Sequence, residues 1–183
     1  MPGFAEELLS RFRWIGGHAD VLGLLADPGF LAKAVEALAG PFANAGVTKV
    51  AGVEARGFVF GPAVAIRLGA GFVAVRKPGS IHPGPKAVHL SEPDWRGRRL
   101  QYELQRAAVT EEDRVLLVDD WAETGSQALA ARALIAECGA SWAGVSLLVD
   151  QLEGEARARL DPVRSIVLSE QLPPNPGWAM RWR

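Results

Sequence analysis

Apolar positions along the chain fall into short blocks with two different periods. Residues 4–14 (FAEELLSRFRW) place apolar side chains at helical spacing and predict a short helix. Residues 28–39 predict another, with Asp27 as N-cap and Pro28 in its first position. Strand-like and helix-like blocks then alternate. VTKVAGV (47–53) reads as a strand, GFVFGPAVAIRLG (57–69) as a helix closed by Gly69, and GFVAVR (71–76) as a strand. VLLVD (115–119) is apolar up to its last residue, the pattern of a strand covered on both faces. SQALAARALIAECGA (126–140) has helical periodicity with Gly139 as its stop, and WAGVSLLV (142–149) and VRSIVL (163–168) are further strands. The alternation predicts an α/β fold, a mostly parallel sheet flanked by helices, in a single domain over residues 1–183.

Residues 77–106 break this rhythm. KPGSIHPGP is turn-rich and predicts a mobile loop, and WRGRRLQYELQR predicts an antiparallel strand pair around Gly97. An insertion of this length in a compact domain has the character of a flexible hood over a site. The tail, about 170–183, is irregular and basic and predicts a surface strap without chemistry.

Composition narrows the function classes. The 183 residues are 49% hydrophobic and 22% charged, an ordinary globular balance. A net charge of −1 gives no general attraction to nucleic acid or to a membrane surface, so neither is expected as a partner. No run approaches the ~18 apolar residues of a membrane span, and the acidic N-terminal stretch predicts no secretory signal. Cys138, the single cysteine, excludes an intramolecular disulfide and a cysteine-based zinc cluster, and fits a cytoplasmic setting. The three histidines show no metal-ligand spacing on one element.

The chemistry concentrates in VLLVDDWAETGSQ (115–127). An apolar strand leads into Asp119 and Asp120, and a short loop leads into a helix. Ligands of open α/β sheets bind beyond the carboxyl ends of strands. The loop amides and the helix N-terminus there form an anion site, to which Thr124 and Ser126 add hydroxyls and Gly125 close backbone approach. Glu123 adds negative charge beside that site, which predicts a side chain pointing away from it. Arg56 gives a second anion site at a strand end, before Gly57 and a helix. There is no G-x-x-x-x-G-K and no G-x-G-x-x-G, so neither a Walker P-loop nor a dinucleotide fingerprint is present.

VLLVDDWAETGSQ resembles the 5-phosphoribosyl-1-pyrophosphate (PRPP) signature of type I phosphoribosyltransferases. VAGVEARGFVFGPAVAIRLGAGFVAVRKPG (50–79) is similar to their adenine phosphoribosyltransferase branch. The resemblance implies transfer of 5-phosphoribose from PRPP to a nitrogenous, purine-like base, with Mg²⁺ held mainly by PRPP near Asp119 and Asp120. It implies that these acids meet the ribose, and that Ala122, Glu123, Thr124, Gly125, Ser126 and Gln127 hold the 5′-phosphate. It implies a pyrophosphate site at Glu54, Ala55 and Arg56, with Arg76 and Lys77 reaching the diphosphate, and a cytoplasmic homodimer.

The chain departs from that branch on the base side. His18 stands where phenylalanine is usual and Ala19 where a basic residue is usual. Trp95–Arg96 precede Gly97 where the branch has Glu-Tyr, which leaves Glu103 as the nearest downstream acid. Pro78 replaces a third basic hood residue, for which Lys86, Arg96, Arg98 and Arg99 are candidate substitutes. His18, Ala19 and Glu103 are the candidate base-binding residues. These departures predict that adenine is a poor acceptor beside another heterocycle or amine. They leave open two alternatives: a specialised-pathway enzyme with a non-adenine acceptor, and a non-catalytic PRPP-sensing regulatory protein.

Overall fold

A computed structural model describes residues 3–79 and 83–175. Its centre is a seven-stranded sheet. In chain order the strands are β3 (Lys49–Val53), β4 (Gly71–Arg76), β5 (Lys86–Leu90), β6 (Gln101–Gln105), β7 (Arg114–Ala122), β8 (Ser141–Asp150) and β9 (Val163–Leu168), after a separate two-stranded ladder of β1 (Trp14–Ile15) and β2 (His18–Ala19). The spatial order is β5-β6-β4-β3-β7-β8-β9. The five strands from β4 to β9 pair in parallel, and the β5–β6 hairpin adds to β4 antiparallel. The α/β architecture expected from the alternation is thus present.

The helices are α1 (Phe4–Arg11), α2 (Val21–Leu25), α3 (Pro28–Ala39), α4 (Gly57–Leu68), α5 (Ser126–Glu137) and α6 (Gly154–Leu160). Asp27 caps α3 by accepting from the Gly29 and Phe30 amides, with Pro28 leading the first turn. The sheet separates two cores. Val115 and Leu117 of β7 pack with α5, Tyr102 and Leu104 on one face. Leu116 and Val118 pack with α1, α3 and α4 on the other. All four β7 residues are fully buried, which is why that strand reads as an unbroken apolar run.

Three expectations are corrected. The first helix ends at Arg11 rather than residue 14, and Trp14 instead pairs with Ala19 across a turn at Gly16–Gly17. Both glycines have positive φ (57° and 79°), as a two-residue hairpin turn of this hand requires. β7 does not end at its acids. It runs on to Ala122, held to β8 by the Trp121↔Val149 and Ala122↔Asp150 pairs. The antiparallel strand pair expected around Gly97 is present, with Gly97 in the connecting turn, but its first strand is β5 at 86–90 and not within 95–106; buried Tyr102 and Leu104 anchor β6 in the core. Among the described residues no helix is long and apolar enough to cross a membrane.

Candidate active site

The continuation of β7 through Ala122 decides where its acids point. Successive strand residues face opposite sides of a sheet. Leu117, Asp119 and Trp121 accordingly line one cavity of about 130 Å³, together with Ala122 to Ala128. Asp120 turns to the other side and is 2% exposed. There Arg56 Nε lies 3.0 Å from Asp120 Oδ2, with its N–H off the line to that oxygen, so the contact is an ion pair without a hydrogen bond. Asp119 Oδ1 accepts from the Asp120 amide at 2.9 Å. Burial, and then the neighbouring Asp120 charge, push the Asp119 carboxyl well above its ordinary pKa. Burial also raises Asp120, against the opposing charge of Arg56.

Residues 123–125 join β7 to α5. Gly125 is left-handed (φ 77°), and a Cβ there would lie 2.9 Å from Leu152 Cδ2. Thr124 Oγ1 accepts from the Ser126 amide at 3.3 Å. The other first-turn amides of α5 have no acceptor within the helix and face the cavity, a site suited to a phosphate.

The second turn follows β3. Gly52 lies so close to Gly57 that a Cβ would sit 2.4 Å from the Gly57 carbonyl oxygen. That approach folds Glu54–Ala55–Arg56 tightly between β3 and α4, with a cis peptide at Glu54–Ala55. Glu54 Oε2 accepts from Arg76 Nε (3.4 Å) and from the Lys77 amide (3.2 Å), tying the end of β4 to the turn.

A larger cavity, about 570 Å³, adjoins the first. It is lined by Trp14, His18, Ala19, Glu170 and Leu172 to Asn175, and shares Arg56, Trp95, Trp121 and Glu123 with its neighbour. Trp14 and Trp121 approach to 6.0 Å between ring centroids. Trp14 Nε1 donates to the Pro173 carbonyl (2.7 Å) and Trp121 Nε1 to Gln151 Oε1 (3.0 Å), so both rings are fixed at their polar ends.

A glycine-turned loop and helix start beside a wide aromatic cavity at the carboxyl ends of a parallel sheet have counterparts among known proteins. A family model described as phosphoribosyl transferase domain matches residues 24–177. The chain belongs to the phosphoribosyltransferase family. It is 40% identical over 167 residues to an adenine phosphoribosyltransferase of Streptomyces coelicolor, covering 87% of this chain and 90% of that one. A second relative, from Streptomyces clavuligerus, is 38% identical over 170 residues, covering 88% and 94%. The adenine phosphoribosyltransferase of Rhodothermus marinus superposes with a TM-score of 0.80 at 31% identity, covering 90% of this chain and 98% of that one. The Saccharomyces cerevisiae enzyme, complexed with an imino-altritol bisphosphate and adenine, gives 0.76 at 29% identity, covering 89% and 98%. These similarities set this phosphoribosyltransferase in the adenine branch of the type I family.

The fold brings Asp119, Ala122 to Gln127 and Arg56 to one cavity, and His18 and Ala19 to the other. Glu123 lines both. Asp120, Arg76, Lys77, Glu54, Ala55 and Glu103 line neither. Asp120 instead holds Arg56, and Glu54 holds Arg76. Glu103 is on β6, where Lys86 Nζ donates to it at 3.0 Å. Lys86 is thereby paired inside the hairpin, and Arg98 is taken up by Asp94. Sequence reasoning missed Trp14, Asp94, Trp121, Gln151, Glu170 and the segment 172–175. Trp121 stood inside the motif, and its bulk beside the Thr124–Gly125 turn was a readable signal. Residues 172–175 belong to the expected strap and nevertheless wall the larger cavity; His82 and residues 176–183 lie outside the described residues.

Proposed function

We propose that this phosphoribosyltransferase moves the 5-phosphoribosyl group of PRPP to a ring nitrogen of a purine base and releases pyrophosphate. The observation that carries this reading is the pair of adjoining cavities. One combines an anion-binding helix start with Asp119, and the other is broad and aromatic. The relatives named adenine phosphoribosyltransferase support a purine, and adenine first among purines, against the poor-adenine expectation drawn from His18, Ala19 and Trp95–Arg96.

In this reading the α5 amides hold the 5′-phosphate and Asp119 faces the ribose. The new C1′–N bond forms as the C1′–O bond breaks, and positive charge builds on the sugar. A carboxylate fixed in a poorly solvated wall offsets that charge without reorganising. Arg56, oriented by Asp120, donates to the leaving diphosphate. Arg76 and Lys77 reach it by exchanging Glu54 for phosphate oxygens. Trp14, Trp95 and Trp121 supply flat apolar walls for a base and hold it against C1′.

Among the described residues no three His, Cys, Asp or Glu side chains form a metal cluster. Asp119 with substrate and water oxygens fits Mg²⁺, a hard cation that keeps much of its hydration and binds through one or two carboxylates. When bound, Mg²⁺ neutralises charge on the diphosphate. The homodimer and the cytoplasmic setting belong to the same reading. Val59 and Ile66, exposed seven residues apart on α4, support an apolar face for a second copy.

PRPP with Mg²⁺ is expected to raise the melting temperature, because a ligand that binds only the folded state adds about 2.7 kcal/mol at a hundred times its Kd. No shift at millimolar PRPP, where a known phosphoribosyltransferase shifts, would remove the reading. The same sample is expected to show a dimer's mass.

A further inference from the structure

The larger cavity is walled by two segments from opposite ends of the chain. The β1–β2 hairpin supplies Trp14 and Gly17 to Ala19, and the strap supplies residues 172–175. Side-chain hydrogen bonds tie the two together. Trp14 Nε1 donates to the Pro173 carbonyl at 2.7 Å, and Asn175 Nδ2 donates to the Gly17 carbonyl at 3.0 Å. Trp14, Gly17, Pro173 and Asn175 all line the cavity, so these bonds belong to its wall.

The hairpin needs such ties. Its strands are two residues each, and a two-stranded hairpin by itself is marginally stable in water. Trp14 also packs edge-on against buried Phe12, with ring centroids 5.1 Å apart. The strap is the stiffer partner. Leu172 is buried in the core with α1, α3 and α4. Pro173 and Pro174 lock their own φ, so little chain freedom is lost when the strap serves as a wall. The two cavities meet at Arg56, Trp95, Trp121 and Glu123, and none of these hairpin and strap residues borders the smaller one. An acceptor that bonds toward the phosphoribosyl side therefore turns its remote edge to the hairpin and the strap.

We propose that the strap at 172–175, clasped to the hairpin through Trp14 and Asn175, is the acceptor-specificity wall of this enzyme. The clasp fixes the distance between hairpin and strap, and so limits the size of the acceptor's remote edge. This rests on the phosphoribosyltransfer reading and deepens it. Trp14 and Asn175 are positioning residues here. Trp14 also meets Trp121 at 6.0 Å between ring centroids, so the clasp holds one ring of the aromatic pair that borders the acceptor. Opening it loosens the grip on a small base and makes room for a larger one. The α5 start and Asp119 lie in the other cavity, so PRPP binding is left as it was.

The test uses Trp14→Phe, which keeps an aromatic ring without the donor, and Asn175→Leu, which keeps the bulk without the amide. Wild type, both single variants and the double variant are compared in steady-state pyrophosphate release with PRPP and Mg²⁺. The acceptors are adenine and adenine carrying a benzyl group on its exocyclic nitrogen. The double variant is expected to raise KM for adenine about ten-fold, the scale of a lost hydrogen bond or two. KM for PRPP should stay within about two-fold, and the PRPP-induced thermal shift should remain. The kcat/KM ratio of the benzyl acceptor to adenine should rise about ten-fold. Asn175→Leu alone lies outside the core and is expected to show the same split at smaller size, whether or not the double variant folds. The proposal is overturned by folded variants with an unchanged KM for adenine or an unchanged ratio. It is also overturned by KM values that rise equally for adenine and PRPP, which would make the clasp a support of the whole fold. Wild type inactive with adenine would instead bring down the adenine-first reading, and this proposal with it.

Discussion

Asparagine at both Asp119 and Asp120 is expected to lower kcat/KM for PRPP by about 10³-fold or more, the size of a lost preorganised electrostatic contact in a closed site. Asp119 lines the smaller cavity, where the proposed function sets the ribose, and Asp120 pairs with Arg56. The loss should not come from unfolding. Both carboxyls have folded pKa values raised by burial. The folded state therefore binds more protons than the unfolded one, and these groups destabilise it above their folded pKa. That penalty vanishes as pH falls below their unfolded values. The double variant should thus melt at or above the wild-type temperature near neutrality, with the gap closing toward acid. Arg56 is about half exposed and stays solvated without its partner. A kcat/KM within about ten-fold of wild type would contradict these roles.

Gly52→Ala is expected to cost about 3 kcal/mol, at the upper end of overpacking penalties, and to lower Tm by roughly 6–12 °C for a domain of this size. The new methyl would meet the Gly57 carbonyl oxygen at 2.4 Å and its carbon at 2.7 Å. Those are backbone atoms at the start of α4, so no rotamer change relieves the contact. Relief requires moving α4 away from β3, which carries Arg56 with it. PRPP affinity should fall in the protein that does fold. Thermal melting with and without PRPP checks both parts; a Tm change under about 2 °C would contradict the packing argument.

The long elements were legible because their sequence patterns are local and repeated. Residues 28–39 carry a cap, a proline and an apolar stripe, and all three act where they stand. The loop that leads into α5 was legible for the same reason: Asp119 to Gln127 is contiguous. β1 and β2 are two residues each, too short for any period, and only Gly16–Gly17 announces them. β5 lies next to a turn-rich stretch that masks its alternation. Aspartate commonly ends a strand, yet β8 pairing carries β7 past Asp119 and Asp120, and this separates two acids that look equivalent in the sequence. The larger cavity draws on 14–19, Trp95, 121–123, Gln151 and 169–175, segments that meet only after folding. Trp14 reaching the Pro173 carbonyl, 159 positions away, is a contact no local pattern announces.

Phosphoribosyl transfer is tested most directly by incubating the protein with PRPP, Mg²⁺ and, in turn, adenine, hypoxanthine, guanine, xanthine, uracil and orotate, while following pyrophosphate and nucleoside monophosphate together. The expected result is equimolar formation of both with at least one purine, adenine foremost, and none with the pyrimidines. Binding of PRPP without pyrophosphate release for any base would contradict the account and mark the chain as a PRPP-sensing protein.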